Sequence, residues 1–295
     1  MLLSRDGKTA IASDPDRDFV SFVDVATATV RSRVALSPHD EPGRAVEDNG
    51  GRVHVALRGS GELASLSLAN GQVVGRRSVC AQPRGVAYDS TNDQVLVACA
   101  TGELVTLPAG VGPAVKVVVV EPDLRDVVID GDVIFVSKFR TAEVLRLTRN
   151  GDVAQRVSLP GGPSAGPAPG TPSTGPAPPT GPVPPTGQGA VVFAGGTDAG
   201  ALASMAWRMR LTSDHQLLLS YQLDSVSFVP TTPGGYGGGP GGAGGGSGIV
   251  QTAIASVSTA DMTATPLNAS LGVVLPVDLA APPIGFANGA GPVLV

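Results

Sequence analysis

The chain has 295 residues, a formal net charge of −5, 42% hydrophobic residues and only 15% charged ones. That much apolar material supports a large core and excludes a wholly disordered chain, while the acidic balance argues against nucleic acid as a partner, since gripping phosphates needs a positive field. No run of about twenty apolar residues is present, so no membrane span is expected, and Met1 to Thr9 lack the apolar region of a secretory leader. Read literally, that start gives a cytoplasmic protein.

Forty glycines and 26 prolines stand against seven Phe, three Tyr and one Trp. The interior must therefore come from Val, Leu, Ile and Ala, a composition that suits short strands and many turns. Read from its start, the chain falls into four units that superimpose with a period of about 40 residues. In the first, the turn Arg5-Asp6-Gly7-Lys8 precedes TAIAS, FVSFVDV and TVRSRVAL. The second runs GRAVEDNGG, RVHVAL, ELASLSL and VVGRRSV. The third runs PRGVAYDSTND, QVLVACA, TGELVTL and VKVVVV, and the fourth LRDVVIDGD, VIFVSKF, RTAEVLRL and VAQRVSL. Asn49-Gly50-Gly51, Asn92-Asp93, Asp130-Gly131 and Asn150-Gly151 are turn sequences that accept positive φ. Each unit thus reads as a four-stranded antiparallel meander. The inner strands, such as Val95 to Ala98 and Val133 to Val136, are apolar on both faces, so both faces must be covered by neighbouring sheets.

After Leu159 comes a Pro, Gly and Thr-rich tract, a linker by composition. ALASMAWRMRL, QLLLSYQL and GIVQTAIASVS then read as strands of an enlarged fifth unit, with LGVVL as its last strand and PVDLA opening a sixth. The expected division is four blades over residues 1–159, a linker or insertion at 160–189, an enlarged fifth blade at 190–281 carrying a Gly-rich insertion at 230–248, and an irregular tail at 282–295.

Tandem four-stranded meanders of this period are what an all-β propeller requires. About five blades are expected, and a closed five-bladed ring and an open arc of a larger parent both fit the count. Met1 aligns with the start of an inner strand, which favours an incomplete ring. No Gly-His or Trp-Asp signature of WD40 repeats recurs. The phrases DGKTAIAS, FVSFVDVATATV and PRGVAYDSTNDQVLVA resemble the YVTN or YncE-like propeller family over roughly the first 160 residues. That resemblance implies a seven-bladed, periplasmic or extracellular, non-enzymatic protein, in some members joined to c-type cytochrome or di-haem peroxidase-like domains. A haem-bearing partner domain is therefore one implied partner. No Cys-x-x-Cys-His occurs in this chain, so no cofactor of its own is expected.

Arg44, Arg84 and Arg125 recur at the start of the inner strand, spaced by 40 and 41 residues. They are candidate ligand-binding residues, a ring of guanidiniums for an anionic ligand or a partner's carboxylates; the competing reading pairs each with neighbouring blades. If Tyr88 pairs with Gln94, Pro83 faces Cys99 and leaves Cys80 on the same rim, within reach of a disulfide. Two separate buried thiols are the alternative. Asp14, Asp16 and Asp18 form an acidic turn with weak calcium-like character. His39, His54 and His215 share no ligand spacing, and no Gly-x-Ser-x-Gly elbow is present, so neither a metal nor a catalytic residue is assigned. A hydrolase or lyase built from distant blades stays open as a third reading. The leading expectation is a binding or scaffold propeller that meets a protein or surface ligand through one rim, where loops on a rigid frame carry recognition; the alternative is the propeller portion of a c-type cytochrome-associated electron-transfer protein.

Overall fold

The computed structural model describes residues 1–161, 201–225, 250–271 and 278–279. Among them there is no helix, and so none long and apolar enough to cross a membrane. The described residues form twenty strands in five antiparallel sheets, each in simple sequential order. The first holds β1 (Leu2–Leu3), β2 (Thr9–Asp14), β3 (Phe19–Asp24) and β4 (Thr29–Ala35). The second holds β5 (Pro42–Glu47), β6 (Arg52–Leu57), β7 (Glu62–Ser67) and β8 (Val73–Ser78). The third holds β9 (Pro83–Asp89), β10 (Gln94–Cys99), β11 (Glu103–Pro108) and β12 (Lys116–Val119), and the fourth β13 (Leu124–Asp130), β14 (Val133–Lys138), β15 (Glu143–Leu147) and β16 (Val153–Ser158). The fifth holds β17 (Ala201–Leu211), β18 (Gln216–Ser225), β19 (Val250–Ser258) and β20 (Ala264–Leu271).

Each first hairpin closes on a residue with positive φ: Gly7, Gly51, Asp93, Gly131 and His215. Placing that conformation at the end of the turn lets the two strands keep their right-handed twist. Successive sheets stack through their inner strands, β5 on β9, β9 on β13 and β13 on β17. The backbones come close at Gly85, where a Cβ would lie 2.7 Å from the Asp126 Cα. Only glycine admits this contact. Between the sheets lie aliphatic clusters such as Ala56, Leu63, Val95, Val97, Val105 and Leu107, which explains strands apolar on both faces. The outer strands β4 and β16 are mostly exposed, and correspondingly polar. The sheets do not close a ring among the described residues.

Two local expectations are corrected. Tyr88 pairs with Val95, and Gln94 with Asp89, one position away from the register read from the sequence; a bulge between Ala98 and Cys99 then restores Pro83 opposite Cys99. The last strand of the fifth sheet is Ala264–Leu271, so LGVVL contributes only Leu271 to it and its residues 272–275 lie outside the described residues. Of the segment expected to open a sixth unit, Asp278 and Leu279 are described and are not in a strand. The linker at 162–189 and the Gly-rich insertion at 230–248 lie outside the described residues.

Candidate functional site

Arg44, Arg84 and Arg125 sit near the starts of β5, β9 and β13, at the end of the sheets where the second-to-third-strand turns also lie. Stacking brings them into one another's fields, but each meets different neighbours. Arg44 crosses the inner space to the fifth sheet, where its Nη2 donates to the Trp207 carbonyl at 2.9 Å and its Nη1 lies 3.5 Å from Asp278. The Arg125 guanidinium lies over the rings of Phe139 (4.6 Å) and Trp207 (5.2 Å), which meet edge to face. Arg84 makes no hydrogen bond or ion pair among the described residues and sits in the combined field of Arg58, Glu41 and Asp123. Burial, and then the like charge of neighbouring guanidiniums, push Arg44 and Arg125 down to about 10. Both remain cationic at neutral pH, and both are held in a region that disfavours their charge.

The rest of the cluster was not legible as a repeat. Arg208 and Arg210 enter from β17, and Arg58 follows β6. Arg208 Nη1 donates to Asp126 at 2.9 Å, and the same Asp126 oxygen accepts the Met209 N–H at 3.0 Å. Side-chain exposure is 8% for Arg208 and 1% for Asp126, so this is a buried ion pair that ties the fourth sheet to the fifth. Arg208 Nε also lies 3.1 Å from Asp278. Among the described residues six guanidiniums, those of Arg44, Arg58, Arg84, Arg125, Arg208 and Arg210, thus share this space with Glu41, Asp123, Asp126 and Asp278, a local positive excess in a chain of net charge −5.

No protein-family model matches the chain, and no curated protein matches its sequence. Solved structures do match. A chain of Kuenenia stuttgartiensis hydrazine synthase aligns with a TM-score of 0.62 at 15% identity, over 90% of this chain and 64% of that one. A chain of the mitotic checkpoint complex aligns with a TM-score of 0.51 at 11% identity, over 77% of this chain and 60% of that one. Both neighbours are β-propellers. The fold is a β-propeller. Identities this low carry the fold alone, and the chain spans less than two thirds of the length of either neighbour.

On the same rim of the propeller, Cys80, in the connection between blades two and three, is joined to Cys99 at the end of β10, with their Cα atoms 6.4 Å apart. The connection is fitted closely there: Gly61, with φ +76°, would bring a Cβ to 2.5 Å from the Cys80 carbonyl. Two of the three carboxylates of the acidic turn in blade one are taken up by backbone donors, Asp14 within the turn and Asp18 in the connection to blade two. Asp14 accepts the N–H groups of Asp16 and Arg17, and Asp18 those of His39 and Glu41. Among the described residues no group of three His, Cys, Asp or Glu side chains could hold a metal.

The sequence reading missed a polar chain inside blade two. The buried His54 lies between Ser65 Oγ (2.9 Å from Nδ1) and Asp48 (3.0 Å from Nε2), and Asp48 also binds Arg52 Nε at 2.5 Å. Burial, set against the Asp48 carboxylate, lowers the His54 pKa and keeps the ring neutral at pH 7. Ser65 sits mid-sheet, paired with His54 on one side and Gly75 on the other. Its backbone is committed to the ladder and supplies no free donor for a developing oxyanion. The arrangement pins the β5–β6 turn to the blade instead. Turn carboxylates farther along clasp the next blade: Asp89 binds Arg149, and Asp130 binds His215.

Asp278 gives the cluster a measurable pH dependence. Burial opposes its ionisation, but Arg208 and Arg44 hold its carboxyl down to about 2. A carboxyl depressed from its unfolded value near 3.8 stabilises the fold fully above that pH and loses the contribution as pH falls toward 2. Stability should therefore drop by about 2 kcal/mol across that window from this group alone. Urea midpoints at pH 7, 4, 3 and 2 check it, and Asp278→Asn should flatten the slope by that amount.

Proposed function

We propose that this propeller is a non-enzymatic binding scaffold that recognises carboxylate groups of a protein or other anionic surface ligand through the arginine-bearing rim. The observation that carries the reading is the mismatch of charge at the inner strands. Buried or stacked guanidiniums outnumber the carboxylates around them, two of them are pushed down to about 10, and Arg84 has no partner of its own among the described residues. An incoming carboxylate relieves that repulsion and meets donors already fixed in place. The same reading places the chain with the YVTN or YncE-like propellers in a periplasmic or extracellular setting, where the Cys80–Cys99 bridge would persist.

Fluorescently labelled oligoglutamate, followed by anisotropy, tests the proposal. The protein should bind it with an affinity that falls as salt rises, and Arg84→Gln with Arg125→Gln should weaken binding roughly tenfold or more. Unchanged affinity in that double variant would overturn the assignment. A second reading, the propeller portion of a c-type cytochrome-associated assembly that docks a haem-bearing domain, rests on the family resemblance and is compatible with the fold shared with hydrazine synthase. It predicts oligoglutamate binding indifferent to Arg84 and Arg125, so the same titration separates the two.

A further inference from the structure

A groove of about 860 Å³ opens between blades two and three, away from the arginine cluster, with walls supplied by β7 and β8 on one side and by the end of β11 and its following loop on the other. Its size is that of a small-molecule site. Three arginines line it, and two are already neutralised: Arg52 by Asp48, and Arg76 by Asp40 and Glu62. Arg77 is different. Its Nη1 donates to the Pro108 carbonyl at 2.6 Å, its Nη2 is shielded from water without a partner, and no carboxylate pairs with it among the described residues. Burial and the charge of Arg52 both lower its pKa.

The rest of the lining mixes glycine, the serines Ser65, Ser67 and Ser78, and aliphatic residues, of which Val74 and Val111 are 52% and 90% exposed and Leu107 is buried. Opposite Ser65 in the ladder stands Gly75, where an added Cβ would meet nothing within 4 Å. The groove exists partly because that position carries no side chain. One uncompensated cation beside a partly apolar trough is complementary to one anionic head on an apolar body.

We propose that this groove binds a small amphipathic monocarboxylate. A change of the Arg77 side-chain torsions, which gives up the Nη1 bond to Pro108, brings the unused Nη2 to the carboxylate, and the hydrocarbon body lies over Gly75 beside Val74 and Val111. The site is independent of the carboxylate-recognising rim, because none of Arg44, Arg84 or Arg125 lines it.

Titration calorimetry with decanoate below its micellar concentration tests the site, with decanol and acetate as probes of the body and the head alone. Decanoate should bind saturably, and both decanol and acetate at least about tenfold more weakly. Arg77→Met, which keeps the apolar stem, should weaken decanoate at least about tenfold. Gly75→Leu should abolish binding by filling the trough, and it does so without touching a charged group. Arg84→Gln should leave decanoate binding unchanged, which separates failure here from failure of the rim. Decanol binding as tightly as decanoate, or decanoate affinity unaltered in Gly75→Leu, would overturn the proposal.

Discussion

Replacing Asp126 by asparagine is expected to lower the unfolding free energy by about 3 to 5 kcal/mol, the range seen when one member of a buried ion pair is removed. The side chain is 1% exposed and serves two functions at once, accepting from Arg208 Nη1 and from the Met209 backbone. The amide oxygen of asparagine can stand where the one carboxylate oxygen accepts both bonds, but the negative charge is gone, which leaves the Arg208 charge with only the more exposed Asp278 for compensation. The loss falls on the junction between blades four and five, which Asp126 spans, so blade five should loosen first. Urea unfolding measures the total, and hydrogen exchange of β17 and β18 amides locates it. A variant that also carries Arg208→Met should recover part of the loss, because the orphaned charge is then gone. A cost below about 1 kcal/mol for Asp126→Asn would mean that the pair does not hold the two blades together.

The fold was legible because it is periodic. Turn residues recur in register, and the first hairpin of each of the four repeats closes on Gly or Asp where the backbone needs positive φ, with His215 in that place in the fifth sheet. What failed did so for identifiable reasons. The apolar LGVVL reads as the last strand of the fifth sheet, whereas outer strands in this molecule are the exposed ones. ATPLNASL, with Thr265 and Pro266 exposed, has the character of β4 and β16. Arg44, Arg84 and Arg125 were found by their spacing, but Arg208 and Arg210 were not. β17 is eleven residues long, and an irregularity between Ser204 and Arg208 carries them out of phase with the repeat. The Asp48, His54 and Ser65 chain resembles no linear motif. It follows from cross-strand register, since His54 and Ser65 are direct partners and Asp48 closes the preceding turn.

Reduction of the Cys80–Cys99 bridge is expected to cost about 3 kcal/mol, the loop-closure value for a short bridged segment, here a sequence separation of 19 residues. The bridge fixes the connection from β8 into β9 against the end of β10, just where the bulge at Cys99 returns Pro83 to register. Arg84 follows Pro83 directly, so the same link sets where the least-partnered guanidinium of the rim stands. Two effects should therefore appear together on adding dithiothreitol. The urea midpoint should fall by an amount that the Cys80→Ala, Cys99→Ala double variant reproduces without reductant, and oligoglutamate affinity should drop under conditions where circular dichroism still reports native strands. A midpoint indifferent to reductant in the wild-type protein would show that the bridge adds nothing to the fold. Lost stability with unchanged oligoglutamate binding would show instead that the position of Arg84 is set by the stacking of β9 between β5 and β13, independently of the rim connection that the disulfide holds.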